Sequence, residues 1–125
     1  MAHYSAKFTT ILPLTDNDGK DQTTIVEQIE QEICVITGGA TIQVVSGIWY
    51  EDGVRYSDNS HKVETAIIET GIYLVANKVD QLKTLATAWG HRLGQLAMYT
   101  EIEWNDIEII NTSVESTTED VQEVA

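Results

Sequence analysis

The densest run of chemistry-bearing side chains lies between Trp49 and Glu64. Trp49, Tyr50 and Tyr56 offer aromatic faces for stacking, Asp58 and Ser60 offer hydrogen-bonding oxygens, and His61 and Glu64 offer groups that exchange protons near neutral pH. Aromatics, acids and a histidine packed this closely are what a small-molecule pocket needs. The candidate ligand-binding residues are therefore Trp49, Tyr50, Tyr56, Asp58 and Ser60, with Arg92 from farther along the chain. The candidate acid–base residues are Glu64 and His61. On a regular strand His61 and Glu64 point to opposite faces, so they converge only if this stretch is an irregular loop. The plainer alternative is a solvated hairpin in which Trp49 and Tyr56 form a cross-strand pair.

Other constellations carry less. Arg92 and His91 fall near the end of a helical pattern, where cations complement the helix dipole, although Arg92 is also one of few cations able to meet an anionic ligand. Asp16-Asn17-Asp18-Gly19 starts like a calcium loop, but its glycine comes at the fourth position instead of the sixth and no glutamate follows at the twelfth. Glu101, Glu103 and Glu108 read as the wet face of a strand. Cys34 has no histidine or lysine beside it and reads as a small core residue. One cysteine and three histidines make no zinc spacing, and neither a dinucleotide fingerprint nor a phosphate-binding loop is present. No metal and no cofactor is expected.

Composition narrows the partners. Seven Lys plus Arg against 20 Asp plus Glu give a net charge of -13 over 125 residues, a field that repels nucleic acid and anionic lipid surfaces. Residues 1–14 lack the pattern of a secretory leader, and no window is apolar enough to span a bilayer, so the chain reads as cytoplasmic. Its length suits a single domain.

The elements that must hold these residues follow from periodicity. Tyr4, Ala6 and Phe8 alternate with Ser5, Lys7 and Thr9, predicting a strand that Pro13 stops, and residues 16–21 form an exposed turn. Thr24 with Glu27 reads as a capping box opening a helix on Ile25, Ile29, Ile33 and Ile36, closed by Gly38 and Gly39. Residues 40–50 predict a second strand, Glu51-Asp52-Gly53 a tight turn, and residues 63–69 a third strand running on past Gly71 toward Leu74. Residues 54–62 extend the hairpin or form a loop; the pattern leaves both open. Asn77 caps a second helix through Leu93, and Leu96, Met98, Ile102 and Trp104 face inward on a last strand. Residues 1–111 make one domain, and residues 112–125, without period and rich in acid, read as a disordered tail.

The order β-α-β-β-α-β predicts an α+β ferredoxin-like fold: a four-stranded antiparallel sheet with both helices on one face. The other face would then be bare, and collecting some of Ile42, Val44, Ile67, Ile68 or Tyr99 there predicts a subunit contact, hence a homo-oligomer, a dimer or a trimer. Leu14-Thr15-Asp16 through Gly38-Gly39-Ala40, Gly47-Ile48-Trp49-Tyr50 through Ser60, and Leu93-Gly94-Gln95 fall in an order that resembles the PII-like group of ferredoxin-like proteins. The chain is also similar to small bacterial and phage proteins with Gly-x-Trp near mid-chain and, in the order of elements, to phage enzymes that cleave S-adenosylmethionine. The resemblance implies an oligomeric protein capturing a polar small molecule or nucleotide-like metabolite in clefts between subunits. It equally implies, as alternatives, a small lyase acting on S-adenosylmethionine with Glu64 or Glu51 as its carboxylate, or a pure protein-interaction subunit. The chain's charge favours a neutral or cationic ligand over a multiply phosphorylated one.

Overall fold

The structure, a computed structural model, describes residues 4–106, 110 and 112. The acidic stretch 113–125 therefore lies outside the described residues. Six elements follow one another: β1 (Tyr4–Pro13), α1 (Thr23–Thr37), β2 (Thr41–Glu51), β3 (Val54–Glu69), α2 (Ile72–Arg92) and β4 (Thr100–Trp104). The strands form one antiparallel sheet in the order β2-β3-β1-β4. The fold is the expected α+β ferredoxin-like one.

Strand alternation decides the layers. Ala6, Phe8 and Leu12 of β1 are in register with Ile67, Thr65 and His61 of β3, and these residues face the helices. Ala6, Phe8, Leu12, Val63 and Ile67 pack against Val26, Ile29 and Ile33 of α1 and Val75, Leu82 and Trp89 of α2 in one buried cluster. Burying aliphatic and aromatic side chains this way is worth about 1.5–3 kcal/mol each.

Several local expectations need correction. No side chain caps α1 at Thr24. The helix begins at Thr23 after Gln22, and Asp21 instead takes the Thr23 backbone N–H at 3.1 Å and its hydroxyl at 2.6 Å. Those two bonds hold the Asp21 carboxyl below its ordinary range. The helix does end on Gly38, whose φ of 97° suits glycine alone. Asp52 and Gly53 both take positive φ, 53° and 76°, as a type I′ hairpin turn requires. Residues 54–62 extend the hairpin, so β3 runs its full 16 residues. It does not continue past Gly71; α2 starts at Ile72, five residues before Asn77, because Gly71 takes extended backbone and its carbonyl accepts the first helical bonds from Leu74 and Val75. β4 starts only at Thr100, and Leu96 is fully exposed.

The long hairpin has a geometric consequence. β1 reaches only to the pairing of Pro13 with Ser60, so the rest of β2 and β3, out to the turn at Asp52-Gly53, forms a two-stranded arm projecting past the sheet. Ile48, Trp49, Tyr50, Val54 and Tyr56 on this arm are all exposed.

Candidate functional site

Register assigns each candidate side chain to a face. Trp49 pairs with Tyr56, Gly47 with Asp58, Val45 with Ser60 and Thr41 with Glu64. All lie on the face opposite the helices, because Ser60, Lys62 and Glu64 alternate with the buried or half-buried His61, Val63 and Thr65. β4 adds Glu101 and Glu103, opposite Thr9 and Lys7. The uncovered face thus gathers Trp49, Tyr56, Asp58, Ser60 and Glu64. Of the apolar residues expected there, Ile68 and Tyr99 do lie on this face, with Ile11 and Val45, among polar neighbours. Ile67 belongs to the core, and Ile42 and Val44, in register with Val63 and His61, sit on the helix side of an edge strand that the helices do not cover.

Three candidates lie elsewhere. Tyr50 pairs with Arg55 and points away from Trp49. His61 is half-buried beneath α1, its Nδ1 2.7 Å from Glu30 Oε2, so it cannot converge with Glu64 on the other side of the same strand. Arg92 sits on the outer helical layer, its guanidinium 2.7 Å from Glu32 and 3.1 Å from Gln28, with the helices and sheet between it and the aromatic pair. Glu32 also accepts the Trp89 indole N–H at 3.0 Å. Burial pushes the Glu32 carboxyl up, but the bonds from Arg92 and Trp89 outweigh it and leave Glu32 below the ordinary carboxylate range.

On the uncovered face a groove of about 380 Å³ crosses all four strands at the root of the arm. Asp58, Ser60 and Lys62 of β3 line one side and Tyr99 and Glu101 the other, with Ile11 of β1 between them and Val45 and Gly47 of β2 at the far end. A Cβ at Gly47 would stand 3.5 Å from Asp58 Oδ1, so glycine keeps the space beside that carboxylate free. Trp49 and Tyr56 follow along the same face, stacked with centroids 5.5 Å apart and planes 15° from parallel. Tyr99 donates its phenol to Glu101 at 3.1 Å; that bond, the carboxylate's charge and burial together raise the Tyr99 pKa.

Farther from the arm the same face holds a charge ladder. Lys7 reaches Glu103 at 3.2 Å and Glu64 at 4.0 Å, and Lys62 reaches Glu64 at 3.4 Å. The Glu103 hydrogen bond first, then the charges of Glu103 and Glu64, raise the Lys7 pKa. Glu64 is thus flanked by two ammonium groups and does not line the groove.

Sequence reasoning missed Gly47, Lys62, Tyr99 and Glu101 as groove residues. The signal was present in the outward parity of Tyr99 and Glu101, but it acquires meaning only once β4 pairs with β1. Among the described residues no cluster of His, Cys, Asp and Glu is arranged to hold a metal ion, and no helix is long and apolar enough to cross a membrane.

No family model and no curated protein matches the sequence. Solved structures match by shape. A phage SAM lyase in complex with S-methyl-5′-thioadenosine has a TM-score of 0.57 at 18% identity over 82% of this chain and 81% of that one. CutA from Synechococcus elongatus has a TM-score of 0.57 at 7% identity over 82% and 77% of the two chains. The divalent ion tolerance protein CutA1 from Ehrlichia chaffeensis has 0.53 at 9% identity over 90% and 89%. The chain shares the fold of the CutA proteins and of the phage lyase. This agrees with the PII-like resemblance in the order of elements. At such identities the likeness concerns the fold, and activity has to be argued from the groove.

Proposed function

We propose that this chain is a small homo-oligomeric binding protein that takes a neutral or cationic, nucleoside-like metabolite into the groove at the root of the arm. The observation that carries this reading is the placement of Trp49, Tyr56, Asp58 and Glu101 on one sheet face beside the open space at Gly47. An aromatic base stacks on the Trp49–Tyr56 pair, and a positive charge settles against the Asp58 and Glu101 carboxylates. Ser60 and Lys62 supply a hydroxyl and an ammonium for ribose or carboxylate oxygens. A ligand of that description has the parts of S-adenosylmethionine, and a phage lyase of the same fold is known in complex with S-methyl-5′-thioadenosine.

The arm supports the oligomer. A two-stranded ribbon is marginal in water, so a second copy covers Ile48 and Tyr50 on the face turned away from Trp49 and Tyr56. Isothermal titration with S-adenosylmethionine, S-methyl-5′-thioadenosine and ATP tests the ligand class. The first two bind and ATP does not, and Trp49→Ala or Tyr56→Ala abolishes binding while the assembly keeps its size. Binding of ATP alone, or loss of the assembly in both variants, overturns the reading.

A second reading is favoured by the Asp58 and Glu101 carboxylates in the groove, which suit a sulfonium: a lyase acting on S-adenosylmethionine. Release of S-methyl-5′-thioadenosine, followed by mass spectrometry, decides it. In that reading Glu64→Gln binds substrate without turnover if Glu64 is the working carboxylate. Unchanged turnover in Glu64→Gln, with loss in Glu101→Gln, moves the role to the groove wall.

A further inference from the structure

A second cavity lies on the helix side of the β4 edge, between the C-terminal half of α2 and the segment that leads into β4, with a volume of about 430 Å³. Strand parity separates it from the groove: Tyr99 and Glu101 line the groove, and Thr100 lines this cavity. Its floor is apolar, made by Ala86, Gly90 and Met98. Glycine at position 90 is what lets the returning segment come so close, since a Cβ there would stand 3.0 Å from Met98 Cγ. The rim is polar: Lys83, Thr87 and His91 rise along one stripe of the helix, and Gln95 faces them.

The rim carries the Lys83 ammonium and the His91 imidazole side by side with Thr87. Of the cations among the described residues, Lys7, Lys62, Lys78 and Arg92 are in ion pairs, as expected where acids outnumber bases 20 to 7. Lys20, Arg55, Lys83 and His91 have no carboxylate within ion-pair distance among the described residues, and of these Lys83 and His91 line the cavity. Countering the helix dipole accounts for His91 at the C-terminus, but not for Lys83, which lies more than two turns upstream. The helix-end carbonyls that would repel an anion are already engaged. Trp89, Gly90 and His91 accept from Leu93, Gln95 and Gly94 at 2.9, 2.8 and 3.2 Å.

We infer that this cavity is a binding site for a small amphiphilic organic anion. The apolar body lies on Ala86, Gly90 and Met98, and the carboxylate or phosphate group sits at the rim among Lys83, Thr87 and His91. Leu96, fully exposed at the mouth, is the apolar side chain available to close over the bound molecule. The site is separate from the groove and does not depend on the ligand proposed there.

Hexanoate, with hexanol as its uncharged counterpart, is the probe, read by amide chemical shifts of the whole protein. Hexanoate is expected to shift Thr87, Gly90, His91 and Gln95 and to leave Trp49 to Asp58 unmoved. Lys83→Gln, on an exposed helix position where folding is unaffected, weakens hexanoate about three- to tenfold. Equal binding of hexanol, absence of shifts, or unchanged affinity in Lys83→Gln overturns the inference. So does a concentration-dependent shift of the same amides without added acid that Lys83→Gln removes, because the occupant is then an acidic segment of a second copy.

Discussion

Replacing Glu32 by alanine separates a buried hydrogen bond from a surface ion pair in one residue. Trp89 is fully buried, and its indole N–H donates to Glu32 at 3.0 Å, whereas Arg92 meets the other carboxylate oxygen from a side chain about a third exposed, at 35%. Glu32→Ala strands the indole donor at a cost of about 1–3 kcal/mol and removes an exposed pair worth about 0–1 kcal/mol. The total of about 1–4 kcal/mol lowers Tm by about 4–16 °C for a domain of this size. Arg92→Ala removes only the exposed pair and costs under about 1 kcal/mol. Glu32→Gln keeps an oxygen for the indole and behaves like Arg92→Ala. The folded carboxyl lies below its unfolded value, so the charge contributes fully above the unfolded pKa of about 4.3 and is lost as pH falls through the folded value. The gap between wild type and Glu32→Gln therefore closes below about pH 4. Calorimetric melts of the three variants between pH 3 and 7 are the assay. If Glu32→Gln is as damaging as Glu32→Ala, or Arg92→Ala is the worst of the three, the assignment of the energy to the buried indole is wrong.

Gly47→Leu fills the space beside Asp58 while its extended strand position tolerates a side chain, so Tm is kept and the thermal shift with S-methyl-5′-thioadenosine disappears; a retained shift puts the ligand elsewhere. Lys7 titrates above its unfolded value, so its stabilising pairs with Glu103 and Glu64 are fully present below about pH 10.4 and are lost as pH rises through the folded value. Melts of wild type and Lys7→Met differ at pH 8 and converge above that range; a constant difference assigns the effect of Lys7 to packing.

The fold was legible because its signals are local and agree with one another. Alternation in Tyr4–Phe8, the isoleucine stripe of α1 and the Asp52-Gly53 turn each point to one structure, and their order admits few topologies. Element ends were less legible. Ile72 to Ala76 is an apolar run that reads equally as a strand, and only the extended backbone at Gly71 makes it a helix. The groove was half legible. Trp49, Tyr56, Asp58 and Ser60 stand in one continuous hairpin, where parity alone puts them on one face. Parity also puts Tyr50 on the opposite face and separates His61 from Glu64, once residues 54–62 are known to be strand. Glu101 comes from a strand that pairs with β1 across the sheet, and Tyr99 directly precedes that strand, a long-range fact that no local pattern encodes. Arg92 was misplaced for the same reason, since its partner Glu32 lies on the other helix.

The protein is proposed to self-assemble and to hold a nucleoside-like ligand in the groove. Native mass spectrometry of the full chain with S-adenosylmethionine or S-methyl-5′-thioadenosine added tests it most directly. The expected result is a dimer or trimer carrying up to one ligand per chain, and an assembly of the same size that stays empty in the Trp49→Ala and Tyr56→Ala variants. A monomer, or an assembly that takes up neither compound, contradicts it.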